Sequence, residues 1–165
     1  MVIKEIQNRR SIREYKPDDI PDEYIQEIIK AGEFAPSAMN NRAVEFIVVR
    51  DSKTKEDIFN IVGQTFVKKA PVLIIPTTDT RKTNFVVEDL AVVSENMFLQ
   101  ATALGLGTVW KAVGGGVWEE KIKEILGVPE EYKIINIIPV GYPKEKVFPY
   151  VDADFDPKKI HKERW

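Results

Sequence analysis

The chain contains no cysteine and one histidine, His161, in 165 residues. Without cysteine there is no disulfide framework, thiolate nucleophile, iron–sulfur cluster or Cys-ligated zinc. A lone histidine excludes the common multi-histidine metal sites and leaves little for a histidine-based triad. Neither sign of charge is in excess: 24 Lys and Arg face 26 Asp and Glu, for a net charge of -2. That balance argues against non-specific nucleic-acid binding, which needs a positive surplus to displace counterions. Long apolar runs are missing too. Pro71 to Pro76 and Ile134 to Val140 fall well short of the ~20 residues of a spanning helix. Met1-Val2-Ile3-Lys4-Glu5 lacks the apolar stretch of a secretory leader, so a cytoplasmic protein with no membrane partner is expected. Neither G-x-G-x-x-G nor G-x-x-x-x-G-K-[ST] occurs, which argues against an ordinary Rossmann domain and a P-loop. Redox or acid–base chemistry is therefore expected to reside in a cofactor.

What is present reads as one domain over 1–165, free of repeats, low-complexity tracts and flexible linkers. Pro21, Asp22 and Glu23 open a helix expected at 22–33, where Ile25, Ile28 and Ile29 recur at helical spacing. The β-branched and aromatic content of 44–50 predicts a strand. A helix at 52–62 follows, with Ser52 as its expected cap. The continuous apolar run 72–75 predicts a strand buried on both faces. The longest helix is expected at 84–104, and it carries too many apolar residues for one stripe. Both of its sides should be covered, the second by another subunit in a chain this short. Strands at 108–110 and 134–140 flank a helix at 117–126. The sum is an α+β fold in three layers. The last 22 residues, with Phe148, Phe155 and Trp165, are expected to pack against something.

Three clusters stand out. Arg9-Arg10-Ser11-Ile12-Arg13 concentrates guanidinium and hydroxyl donors suited to phosphate, or else forms a solvated turn. Pro36-Ser37-Ala38-Met39-Asn40-Asn41 suits a loop that brings donors near a planar ligand, and equally a plain connection. Six of the nine glycines lie between Gly105 and Gly127, with Gly114, Gly115 and Gly116 consecutive. Such a run either lets main chain approach a ligand closely or is simply a mobile loop. The paired carboxylates Asp18/Asp19, Glu119/Glu120 and Glu130/Glu131 read as solvated helix ends and turns. His161 reads as a packing or surface residue, and Trp110 and Trp165 as core or interface.

In order, these pieces resemble the nitroreductase family of flavin enzymes. The resemblance runs through Arg9 to Tyr15, Phe34 to Arg42, Glu88-Asp89 with Asn96-Met97, Ala103 to Trp110, Gly127-Val128-Pro129 and Ile138 to Pro143. It implies a three-layer α/β/α sandwich with a mainly antiparallel sheet, and a homodimer with FMN at the subunit interfaces. It implies ping-pong electron transfer from NAD(P)H, through flavin N5, to a nitroaromatic, quinone or similar small acceptor. On this resemblance Arg9 and Arg10 hold phosphate, and Ser11 phosphate or a ribityl oxygen. Arg13 lies by the N1–C2=O edge. Pro36, Ser37, Ala38 and Asn40 of the partner subunit line the ring, backbone N–H groups near Ala112, Val113 and Gly114 approach N5 and O4, and Gln64 meets the pyrimidine end.

The sequence also departs from the family pattern. Asn41-Arg42-Ala43-Val44 stands where members often have Gln-Pro-Trp after the loop Asn, and there is little room for a mid-chain lid. Basic residues after Gly-Tyr-Pro are sparse, leaving Lys146 or Lys158 as substitutes. Two further readings stay open: a flavin-binding protein that stores or senses FMN without turnover, and a dimeric scaffold without cofactor.

Overall fold

The computed structural model describes residues 1–165. Helices α1 (Lys4–Asn8) and α2 (Asp22–Glu33) precede a 3-10 turn at Ala38–Asn40 and strand β1 (Val44–Val49). Helices α3 (Ser52–Val62) and α4 (Thr65–Lys69) lead to β2 (Val72–Asp79), and the long helix α5 spans Val86–Ala103. The short strands β3 (Gly107–Thr108) and β4 (Lys111–Ala112), helix α6 (Val117–Leu126), β5 (Tyr132–Lys133) and β6 (Asn136–Gly141) complete the order. The sheet runs β1-β2-β6-β3, with every pairing antiparallel.

The period-2 alternation of strands builds the layers. Val72, Ile74, Ile138 and Val140 face Ile25 and Ile28 of α2 and Val93, Met97 and Ala101 of α5. Leu73, Ile75 and Ile137 point the other way, to Ile58 and Val62 of α3, Val67 of α4 and Ile122 of α6. All of β2 is buried, as its unbroken apolar run predicts. Each fully buried aliphatic side chain contributes roughly 1.5–3 kcal/mol, so the central strands anchor both cores. This is the expected three-layer α/β/α sandwich on an antiparallel sheet.

Several details differ from the sequence reading. Asp51, not Ser52, caps α3: its carboxylate accepts from Thr54 N at 2.7 Å and from Thr54 Oγ1 at 2.8 Å. The Thr54 amide holds the Asp51 carboxyl below its ordinary value. Helix α4 is too short for a periodic signal and is not anticipated. The strand expected at 108–110 is instead two short pieces, β3 and β4, that pair with β6 in one register. Residues 134–135 interrupt the strand expected at 134–140, where Ile135 O accepts from both Val113 N (2.9 Å) and Gly114 N (3.1 Å).

Within this chain, α5 is covered on one side only. Phe85, Val87 and Val92 are exposed, opposite the buried Leu90, Val93 and Met97. The tail does not pack as expected. Phe148, Phe155 and Trp165 are exposed, and Trp165 stacks on His161 within the tail itself. It is tied to the body by Lys144, whose amide donates to Glu14 O at 3.1 Å, and by Tyr150, whose amide donates to Gln7 O at 2.8 Å. Trp110 is partly exposed and meets Phe98 edge-on.

Candidate functional site

The arginine segment is fixed to the sheet edge by its apolar residues, which leaves the polar ones outside. Ile12 N donates to Thr108 O at 2.8 Å. Gly107 makes that approach feasible, because a Cβ there would lie 2.5 Å from Ile12 Cγ1. Three residues on, the Tyr15 hydroxyl donates to Ile12 O at 2.6 Å. Burial pushes that phenol well above its ordinary value, and Arg13 only partly opposes the shift. The neutral tyrosine therefore closes the turn, and Ser11 and Arg13 stand in the exposed positions either side of Ile12.

The arginines have different neighbours. Arg13 forms no ion pair or hydrogen bond within the chain, so its full donor set faces outward. Arg10 donates to Gln7 O (3.0 Å) and Arg9 O (2.8 Å), and its guanidinium lies 3.4 Å from the centre of the Tyr150 ring. Arg9 sits 3.7 Å from Glu95. Arg10, Ser11 and Arg13 line a cleft of about 430 Å³ together with Pro143, Lys146 and Phe148. Glu14 and Glu145 also border it, and Glu14 is paired with Lys144 at 3.7 Å. Arg9 is not among the lining residues. Of the two C-terminal lysines, Lys146 is the one that reaches this cleft.

The loop after α2 has unusual backbone. Met39 (φ 51°), Asn40 (φ 55°) and Arg42 (φ 50°) are all left-handed, and none is glycine. Local bonds stitch the loop: Arg42 N to Ser37 Oγ at 3.1 Å, and Ala43 N to Asn41 Oδ1 at 3.1 Å. Longer-range ties run from Ala38 N to Asp89 Oδ1 (2.9 Å) and from Asn41 Nδ2 to Lys82 O (3.3 Å). Pro36, Ser37 and Ala38 border a hollow with Phe85, just ahead of α5, and with Glu88 and Val92 of α5. Asn40 is exposed beside it.

The glycine run is a tight loop and not a slack one. The amides of Val113 and Gly114 already donate to Ile135 O, and Gly115 N donates to Glu119 Oε2 at 2.8 Å. Those three donors are held within the chain, so what the segment offers a ligand is close main-chain approach around the exposed Ala112 and Gly114. Lys111 Nζ lies 4.0 Å from the centre of the Trp118 ring, spanning the loop's two ends, and burial lowers its pKa. Ala112, Val113 and Gly114 line a hollow of their own. Gln64 precedes α4, and its buried Oε1 has no hydrogen-bond partner.

One chain thus brings Arg10, Ser11 and Arg13 together but leaves the loop and glycine residues in separate hollows. Sequence reasoning missed two polar residues that shape these elements. Asp89 is buried and holds Ala38 N and the Thr83 hydroxyl, although it stands in a stretch already noted for resemblance. Glu119, expected to be solvated, is buried, and its oxygens accept from Gly115 N and Ile134 N. A signal was available: Glu119 is three residues after the helix-start Gly116, the spacing of a capping box.

Comparison with known proteins agrees with this arrangement along the whole chain. A structure of an FMN-dependent nitroreductase from Clostridium difficile R20291 superposes with a TM-score of 0.93 at 34% identity, covering 99% of this chain and 100% of the other. A protein of Archaeoglobus fulgidus, provisionally named NADH dehydrogenase/NAD(P)H nitroreductase, is 38% identical across 99% of this chain and 98% of its own. An FMN reductase [NAD(P)H] of Bacillus subtilis is 29% identical over 88% of this chain and 67% of its length. The model of the nitroreductase family matches residues 6–68 and 60–142, spanning the arginine segment, the left-handed loop and the glycine run. The chain belongs to the nitroreductase family and is an oxidoreductase of that fold.

Proposed function

We propose that this chain is an FMN-dependent NAD(P)H oxidoreductase that reduces a small acceptor such as a nitroaromatic or quinone. The chain would act as one flavin-binding domain in a homodimer. The carrying observation is the cleft in which the unpaired Arg13 meets Ser11, Arg10 and Lys146. The donor chemistry fits FMN. Ser11, Lys146 and the free edge of Arg10 suit a phosphate, and Arg13 suits the electron-rich pyrimidine edge. Gly114 leaves no room for a Cβ beside Ile135, which suits a main chain that borders a flat ring. The orphaned Gln64 Oε1 suits a donor at the pyrimidine end.

When bound, the flavin supplies the redox chemistry, accepting electrons from NAD(P)H and passing them to the acceptor in a second half-reaction. The chain's own part is to bind, orient and stabilise. Arg13 places a permanent positive charge where reduction gathers negative charge, which favours the reduced state. Arg9, 3.7 Å from Glu95 in a partly exposed pair, offers a further guanidinium for the phosphate. Two chains are needed to close the site, because Pro36, Ser37, Ala38 and Asn40 do not line the arginine cleft of their own chain. The uncovered face of α5, with Phe85, Val87 and Val92, supports a dimer.

Purified protein mixed with FMN should turn yellow and bleach anaerobically when NADH or NADPH is added. Protein that takes up no FMN refutes the proposal. Protein that binds FMN but is not reduced by either nucleotide refutes the oxidoreductase part of it.

A further inference from the structure

We propose that Asp89 is a positioning residue. From the first turn of α5 it sets the shape of loop Ser37–Arg42, and thereby the surface that the loop offers to the acceptor. The proposal rests on the reading that this loop borders the flavin site. Asp89 is 3% exposed, yet it has no cationic partner. Each oxygen is used once: Oδ1 accepts from Ala38 N at 2.9 Å, and Oδ2 from Thr83 Oγ1 at 2.8 Å. Thr83 Oγ1 in turn accepts from Phe85 N at 3.0 Å, immediately ahead of α5. One carboxylate therefore joins the loop, the turn after β2 and the start of the long helix. Its place in the first turn of α5 suits a negative charge.

The loop needs such a tie. Met39, Asn40 and Arg42 hold left-handed conformations that L-residues rarely adopt, and such backbone persists only where its surroundings fix it. Most of the loop's bonds are internal: Asn40 N to Ser37 O, Asn41 N to Ala38 O, Arg42 N to Ser37 Oγ. These close the turn on itself but do not attach it to the fold. Attachment comes from Asp89 at the front and from Asn41 to Lys82 O at the back. The left-handed turn carries the Met39 side chain outward to full exposure, near Phe85 and Val92. Releasing Ala38 would let these residues relax to ordinary backbone and re-aim Met39, Asn40 and Arg42.

The test compares Asp89→Ala and Asp89→Asn with the native chain. Hydrogen exchange, followed by mass spectrometry on the chain without added flavin, should show faster exchange at 37–43, and at 83–85 where Thr83 loses its acceptor, in Asp89→Ala. Asn retains an acceptor for Ala38 N, so Asp89→Asn should lie between the native chain and Asp89→Ala. In FMN-loaded protein, KM for a quinone acceptor should rise about tenfold in Asp89→Ala, the scale on which misplacement of binding groups is felt. FMN affinity should fall by less than the acceptor KM rises, because the arginine cleft is untouched while Ser37, Ala38 and Asn40 border the ring from the partner subunit. Unchanged exchange in the loop overturns the proposal, as does altered exchange with an unchanged acceptor KM. If Asp89→Ala does not fold, the same readouts on Asp89→Asn decide. A native chain that takes up no FMN refutes the proposed function alone, and the exchange experiment still decides whether Asp89 fixes the loop.

Discussion

Loops 37–42 and 113–116 are each held by a buried carboxylate in the first turn of a helix, Asp89 on α5 and Glu119 on α6. They meet the backbone problem in opposite ways. The first uses Met39, Asn40 and Arg42 at positive φ, where each L-residue costs about 1 kcal/mol, and Asn somewhat less. The second places glycine at its one left-handed position, Gly115 at φ 80°, and at the crowded position, Gly114. The difference follows what each loop presents. Side chains must project from 37–42, so glycine is of no use there. Along 113–116 the main chain packs against Ile135 at Gly114 and turns left-handed at Gly115, and glycine serves both needs. Residue type thus tells whether a loop exposes side chain or main chain, and the strain in the first loop is tied to its side chains.

Removing the carboxylates tests this contrast most strongly. Glu119→Ala strips the acceptor from two amides at once, Gly115 and the buried Ile134. Bonds to charged groups contribute about 1.5–3 kcal/mol each, so a loss of roughly 3 kcal/mol or more is expected, read as a lower urea midpoint. Asp89→Ala also breaks two bonds, but the loop it frees is strained and half-exposed, and its relaxation offsets part of the loss. The expected cost is about 2 kcal/mol or less. Equal costs for the two variants would show that the first loop stores no strain.

The glycines come next in size. A Cβ on Gly114 would stand 2.9 Å from Ile135 Cα, which is backbone and cannot swing aside. Gly114→Ala should therefore cost about 1–3 kcal/mol, typical of overpacking. Gly115→Ala meets no atom and pays only for φ 80°, about 1 kcal/mol. Gly116→Ala should be close to neutral, because its φ of 160° is extended backbone open to any residue. A measured order other than 114, 115, 116 in urea titrations would break the account of the second loop. The mirror experiment on the first loop is smaller and of opposite sign. Met39→Gly removes a left-handed penalty and should gain up to about 0.5 kcal/mol after glycine's greater chain entropy is counted. Its thermal midpoint should rise while turnover of the acceptor falls. A midpoint that falls would mean that Met39 is not strained.

The same contrast explains which parts were legible in the sequence. Helix α2 and strands β1 and β2 announce themselves because one period governs each segment, as in Ile25, Ile28 and Ile29. The arginine segment and the glycine run are legible because residue type alone implies donors and close approach. Asp89 and Glu119 are not, since the sequence shows two acidic residues among 26 and cannot show which are buried. Their partners explain why. Ala38 is 51 residues from Asp89, and the Ile134 amide 15 from Glu119, so only the folded chain brings them together. The left-handed backbone at Met39 is equally silent, because methionine carries no signal for it. The split of the edge strand into β3 and β4, which keep one register on β6, and the two amides on Ile135 O likewise depend on partners distant in sequence.

The smallest effect concerns the far support of the first loop, the turn that supplies Lys82 O to Asn41. Asp79 opens this turn, and Arg81 donates to it twice, from Nε to Oδ1 at 2.9 Å and from Nη2 to Oδ2 at 2.8 Å. Those bonds, aided by the Arg81 amide and charge, hold the Asp79 carboxyl down to about 2, from an ordinary 3.8. A carboxylate whose pKa is lower in the folded chain contributes stability that is complete above its unfolded pKa and is lost as pH falls through the folded one. The window therefore lies between 3.8 and about 2, and stability across it should decline with acid. Arg81→Ala removes the donors, brings the carboxyl back toward its ordinary value and should flatten this part of the pH profile. Arg81 also pairs with Glu131 at 3.0 Å, so Glu131→Gln is the control: it should leave the Asp79 window in place. If the support matters to the loop, exchange at 37–43 should quicken as pH drops through this window, once corrected for intrinsic rates. In Asp89→Ala, where the front tie is already gone, the loop should respond less to the same acid, because it no longer depends on being held at both ends.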